Sequence, residues 1–211
     1  MLRGRVDHCL AEEGWRQMWQ ATGLDLGVPA AVSNKPTGKA RQLKRINSTE
    51  SPRWDEIVTS PLQRCRRFAE QLAASFDLPV TVDPAWQEID YGVWDGMPLT
   101  EWRKAAMPQF ESFRHDIAAL HPPGGEAFIR FRDRILGAWQ QILQRPDGAR
   151  VLLITHGGVM RVVLPTVLGM PLNHTGVLEI PFACLSRVAV HGPADDRKSR
   201  LVGHNIGLTS D

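Results

Sequence analysis

Four consecutive branched apolar residues, Val151-Leu152-Leu153-Ile154, run into Thr155 and break off at His156-Gly157-Gly158. An apolar run of that length without polar alternation marks a strand buried on both faces, hence a central parallel strand. A parallel strand requires a crossover to reach its neighbour, and Val159 to Leu168 carries the helical pattern that such a crossover needs. The chain therefore has to build a layered α/β fold around this segment.

The rest of the chain repeats the theme. Ala11 to Thr22 reads as a short helix with Trp15, Met18 and Trp19 on one face. Asp55 to Thr59 is a short strand. Ser60-Pro61 then supplies an N-cap and a proline at the first helical position, with the helix running to about Phe76. Leu78 to Val82 is extended, and Glu88 to Gly96 (EIDYGVWDG) is turn-rich and aromatic. Gly125 to Gln144 is helical, and Cys184 to Val190 and Leu201 to Gly203 are late strands. Strands alternating with helices give a three-layer α/β/α architecture with a mostly parallel sheet. Residues 27–53 break the pattern: they hold three of the five lysines, several Pro and Gly positions, and little apolar periodicity. This segment is expected to be a basic loop inserted in a single domain spanning residues 1–211.

Two strand-to-helix junctions carry the chemistry, Thr59-Ser60-Pro61-Leu62-Gln63-Arg64 and Ile154-Thr155-His156-Gly157-Gly158. Ligands of wound α/β sheets bind beyond the carboxyl ends of the strands, so both junctions face one rim. The helix starts there offer free N–H groups and a positive dipole end, which favour an anion. Arg64, one turn into its helix, can clamp phosphate oxygens, and the glycines beside His156 let an anionic ligand approach the backbone.

Composition narrows the function further. A net charge of +2 in 211 residues lacks the strong basic excess of a nucleic-acid binder. Three scattered cysteines, Cys9, Cys65 and Cys184, form no disulfide framework and no zinc motif, so no metal or cofactor is expected and a reducing cytoplasm fits best. The sequence contains no apolar run of membrane-spanning length, so no membrane partner is expected.

Four segments, Ser60-Pro61-Leu62-Gln63-Arg64-Cys65, Glu88 to Gly96, Pro122-Pro123-Gly124-Gly125-Glu126 and Thr155-His156-Gly157-Gly158-Val159, closely resemble the histidine phosphatase superfamily, the phosphoglycerate-mutase-like group, in the family's order. Gly14 to Trp19 together with Trp54 to Thr59 looks most like its bacterial alpha-ribazole phosphatase branch. The resemblance implies a phosphomonoesterase acting on a small-molecule substrate through a phosphohistidine. Arg64 matches the second phosphate-binding arginine, His156 the second histidine, and Glu88 the acid that protonates the leaving group. Asp90 and Asp95 are expected to form turns or to be solvated. His8, His115, His121, His174, His191 and His204 match no catalytic position and are expected in loops or on the surface.

The family's nucleophile sits in an Arg-His-Gly triplet ending the first strand, and this sequence contains no such triplet. Arg3 to Trp15 resembles the family stretch that follows the nucleophile, so the chain is expected to lack that first central strand, which would pair beside Val151 to Thr155. As written it is then expected to be inactive. Two other readings stand beside the phosphatase: a pseudophosphatase that binds a phosphate ligand or a protein without turnover, and a phosphoglycerate mutase.

Overall fold

The computed structural model describes residues 1–24 and 53–206. The expected basic loop at 27–53 lies, apart from Arg53, outside the described residues. Helix α1 (Glu12–Thr22) is followed by strand β1 (Glu56–Thr59), helix α2 (Gln63–Phe76) and strand β2 (Val80–Val82). After short helical turns at Pro84–Trp86 and Gly92–Trp94 come α3 (Leu99–His115), α4 (Phe128–Leu143), β3 (Val151–Ile154) and α5 (Gly157–Leu168). Strands β4 (Arg187–His191) and β5 (Lys198–Gly203) close the order. No described helix is long and apolar enough to cross a membrane.

Strands β1, β2 and β3 form one parallel sheet in the order β2-β1-β3, with Thr59 level with Ile154 and with Val82. The matched register puts the ends of β1 and β3 at one height, so the two junctions open on the same rim. Two apolar clusters sandwich the sheet. Trp15 and Trp19 of α1 and Phe68 and Leu72 of α2 meet Ile57, Leu152 and Ile154 on one face. Phe131, Ile135 and Trp139 of α4 and Val159 and Val162 of α5 meet Val58 on the other, with Val151 and Leu153 packed against them. That alternation of β3 between the two clusters is the three-layer architecture read from its apolar run.

Three expectations need correction. First, β3 is not central: among the described strands it is an edge, and β1 takes the middle. Ile154 turns its carbonyl to Ser60 N–H, so by strand alternation the backbone groups of Leu153 face the edge that β1 does not cover. The ribbon of β4 and β5 is antiparallel and separate, yet Leu185 joins the cluster of Leu152 and Ile154 while Val188 joins the opposite one. Second, α2 starts at Gln63 and not at Pro61, because Leu62 is still extended. The helix-start carboxylate comes from Asp7, whose Oδ1 accepts the Gln63 N–H at 2.6 Å. Third, the 17-residue α3 has no counterpart in the sequence reading; it contains Pro108 and only Ala106 is buried, so no strong apolar face announces it.

Candidate active site

The rim beyond β1 and β3 gathers Arg64, Ser60, Cys65, Glu88 and His156. His156 caps α5 in extended conformation and is buried, with 7% of its surface exposed. Its Nδ1 accepts the Nε–H of Arg64 at 3.3 Å, which leaves the proton on Nε2 to be donated to Ser60 Oγ at 2.7 Å. The Cys65 sulfur lies 3.7 Å from Nδ1 and donates to the Thr155 carbonyl. Burial first, then the charges of Arg64 and Arg134, pull the imidazole down to about 3, so it is neutral at physiological pH. Ser60, read from sequence as a helix cap, accepts the Nε2–H of this tautomer as well as the N–H of Leu62 at 3.3 Å.

Arg64 reaches the rim from the first turn of α2. Its two terminal nitrogens donate to the carbonyls of Val6 at 3.0 Å and Gly4 at 2.6 Å. With Nε on His156, three of the five guanidinium N–H groups are engaged and two stay available to an anion. The segment holding these carbonyls is pinned by Asp95, whose carboxylate accepts the N–H groups of Gly4, Arg5 and Val6 at 2.6 to 2.8 Å. Asp95 is therefore neither a turn former nor a solvated carboxylate, as expected; it is the anchor of the N-terminal segment. Asp90 does form a turn, accepting the Gly92 N–H.

Glu88 lies against the start of α5 and is also buried. One carboxylate oxygen accepts the N–H of Gly158 at 2.9 Å, at the start of α5, and the other accepts the N–H of Ile89 at 3.0 Å. Gly158 is required for this approach, since a Cβ there would stand 2.1 Å from Glu88 Oε1. Burial pushes the Glu88 carboxyl above the usual carboxylate range, against the pull of the two N–H groups and of Arg64 and Arg161. A carboxyl that holds its proton to higher pH beside a neutral imidazole is equipped to protonate a leaving oxygen.

Two supports went unread in the sequence. Arg134 of α4 pairs with both oxygens of Glu126 and donates to the carbonyls of Ala85 and Gln87, stapling the chain just before Glu88 to the Pro-Pro-Gly-Gly-Glu turn. Thr155 Oγ1 donates to the Trp86 carbonyl at 2.9 Å and ties the same loop to the end of β3. Side-chain-to-backbone bonds of this kind depend on tertiary placement and leave no periodic trace. His204 lies in the bend after β5, the loop setting expected of it, and is half-buried there between Ser186 Oγ (2.9 Å) and the Glu179 carbonyl (2.8 Å). No cluster of three metal-ligating side chains occurs among the described residues.

Comparisons with known proteins bear on the family and the fold. Over 196 residues the chain is 30% identical to a probable phosphoglycerate mutase, GpmB, of Erwinia tasmaniensis, covering 89% of this chain and 76% of that one. It is 30% identical over 155 residues to the uncharacterized phosphatase PhoE of Bacillus subtilis, covering 72% and 71% of the two chains. Among solved structures, a mycobacterial glucosyl-3-phosphoglycerate phosphatase superposes with a TM-score of 0.70 at 22% identity over 98% of this chain and 92% of its own. The alpha-ribazole phosphatase of Shigella flexneri superposes with a TM-score of 0.68 at 15% identity over 100% and 92%. The family model of the histidine phosphatase superfamily, branch 1, matches residues 35–205, a span that includes Arg64, Glu88 and His156. By its fold, its four motifs and this match, the chain belongs to the histidine phosphatase superfamily.

Proposed function

We propose that this chain is the scaffold of a histidine-type phosphomonoester hydrolase in which Arg64 and His156 hold the phosphoryl oxygens and Glu88 protonates the departing alkoxide. The observation that carries this reading is the convergence of the three side chains at the ends of β1 and β3, with Arg64 bonded to His156 and Glu88 seated at the start of α5. Two free guanidinium N–H groups and the α5 N-terminus supply donors for the equatorial oxygens, where charge must be stabilised. In the full reaction a nucleophilic imidazole nitrogen takes the phosphoryl group as the P–O ester bond breaks. The alkoxide leaves with the Glu88 proton, and water then hydrolyses the phosphohistidine with Glu88 as base.

The nucleophile itself is proposed to arrive on a further strand ending in Arg-His-Gly, seated along the open edge of β3. Support comes from the edge of β3 that no described strand covers. Without it the chain is a phosphate-binding module without turnover, and the absence of any Arg-His-Gly triplet in the sequence favours that second reading. Within the phosphatase reading, alpha-ribazole phosphate is the proposed substrate, from the resemblance of Gly14 to Trp19 and Trp54 to Thr59. The likeness to a probable phosphoglycerate mutase favours phosphoglycerate as the competing one.

Calorimetric titration of the chain with orthophosphate tests the site. Arg64→Ala and His156→Ala should each weaken binding about ten-fold, the size of one charge-assisted hydrogen bond. Equal affinity in the wild type and both variants would remove these residues from a phosphoryl site.

A further inference from the structure

The described hydrogen bonds of Asp95 go neither to Arg64 nor to His156, yet a single peptide group joins it to their rim. Its carboxylate accepts three consecutive N–H groups, Oδ1 from Gly4 at 2.7 Å and Oδ2 from Arg5 at 2.6 Å and Val6 at 2.8 Å. Those bonds fix the backbone of the segment, and its Gly4 and Val6 carbonyls hold the two terminal nitrogens of Arg64.

The Gly4–Arg5 unit is the shortest link. Its C=O and N–H belong to one planar trans peptide and point opposite ways. The N–H end meets Asp95 Oδ2 at 2.6 Å, and the C=O end meets Arg64 Nη2, also at 2.6 Å. A carboxylate at one end and a guanidinium at the other polarise the amide in the same sense, so each bond strengthens the other. The segment has little room to drift. Gly4 is buried, and a Cβ on it would stand 2.5 Å from the Ile89 carbonyl oxygen and 2.9 Å from the Tyr91 ring. Leu2 adds two backbone bonds to the strip that carries Asp95, donating to the Met97 carbonyl and accepting the Gly96 N–H.

A carboxylate placed directly on the Arg64 fork would offset its charge and occupy the N–H groups left for an anion. Acting through a peptide, Asp95 steadies the fork while three N–H groups satisfy its own charge. We propose that Asp95 is a positioning residue of the phosphoryl site, acting through the Gly4–Arg5 peptide to aim the Arg64 guanidinium at a bound anion. This rests on the phosphoryl-site reading above and adds a residue to it.

Calorimetric titration with orthophosphate should give an affinity about five-fold weaker in Asp95→Asn, the size of one net hydrogen bond. In an Arg64→Ala background the same substitution should weaken binding no further, because its route to the anion is gone. A merely structural role would produce an equal loss in both backgrounds, and that result overturns the proposal. So does unchanged affinity in Asp95→Asn. Amide NMR reads the link from its other end and needs no Asp95 variant to fold. Arg64→Ala should move the Arg5 amide proton upfield by more than those of Gly4 and Val6, whose own peptide carbonyls do not meet Arg64. Equal movement of the three amides also overturns the proposal. Failure of the parent reading looks different: the wild type binds no orthophosphate, or binding ignores Arg64→Ala.

Discussion

The guanidinium of Arg64 and the imidazole of His156 meet at 3.3 Å, the arginine Nε–H donating to a histidine nitrogen that carries no proton. A cation donating to a buried imidazole keeps that ring neutral and settles its tautomer. The site thereby offers an anion the free arginine N–H groups, while the Nε2–H is engaged with Ser60 Oγ and would have to exchange that partner for a phosphoryl oxygen.

The first consequence is a dependence of stability on pH. His156 is lowered from 6.5 to about 3 by burial and by Arg64 and Arg134. Between those values the unfolded chain binds a proton that the native chain does not. Stability from this residue is complete above pH 6.5 and is lost as pH falls toward about 3, by at most about 1.4 kcal/mol per pH unit. Glu88 acts in the opposite sense: its raised native value makes stability fall as pH rises from the unfolded value of 4.5 upward. Urea midpoints across this range should lose their acid sensitivity in His156→Gln and steepen in Glu88→Gln. Parallel profiles for wild type and His156→Gln would mean that the imidazole titrates normally.

A second expectation concerns Gly158. Its role is to let the Glu88 carboxylate touch the start of α5, and an added Cβ would overlap Oε1. Gly158→Ala should destabilise the fold by about 1 to 3 kcal/mol, as overpacking of a tight site does. The cost belongs to one contact, so Glu88→Ala should remove most of it in the double variant. Thermal melts of the four proteins check this; an additive double variant would place the clash elsewhere.

Much of this arrangement was legible in the residues. The unbroken apolar run of β3 fixed its parallel pairing, because only a strand covered on both faces tolerates Leu152, Leu153 and Ile154 in succession. Arg64 and His156 came from local motifs at strand ends, where position along the chain nearly determines position in space, whereas Glu88 came only from the resemblance of its turn-rich segment. What stayed hidden depends on distant partners. Ser60-Pro61 looks like a helix start, and Ser60 Oγ does accept the Leu62 N–H, but it also serves His156, and the Gln63 N–H goes to Asp7, fifty-six residues upstream. Asp95 reads as a turn residue, but its partners are three N–H groups about ninety positions away. The exposed α3 buries too little to leave an apolar stripe.

The thiols give a third prediction. Cys65 is buried against His156, and burial pushes its thiol up to about 12, whereas Cys9 is exposed. Thiolate, not thiol, reacts with disulfide reagents, so Cys9 should be modified first and Cys65 only on unfolding. Peptide mapping after a timed reaction with an aromatic disulfide reads the order. Modification of Cys65 at the rate of Cys9 would show that the pocket around His156 opens freely in solution.

The last prediction concerns turnover. Phosphoryl transfer in this family type needs an imidazole in line with the leaving oxygen, and His156 is poorly suited to that task. Its Nδ1 is covered by Arg64 and its Nε2–H is a donor, so neither nitrogen presents a free lone pair to phosphorus. The chain of 211 residues should therefore bind phosphate, form no acid-labile phosphohistidine, and hydrolyse an aryl phosphate no faster than a His156→Ala control. Extending it at Met1 with a strand ending in Arg-His-Gly should change both properties. The added strand would cover the open backbone of Leu153, reducing edge-to-edge association, and would set an imidazole beside Arg64. Turnover should then rise by several orders of magnitude and disappear when the added histidine becomes alanine. Robust activity in the unextended chain, abolished by His156→Ala, would make His156 the nucleophile. An extended chain that folds, binds phosphate and stays inactive would favour the binding module over the enzyme.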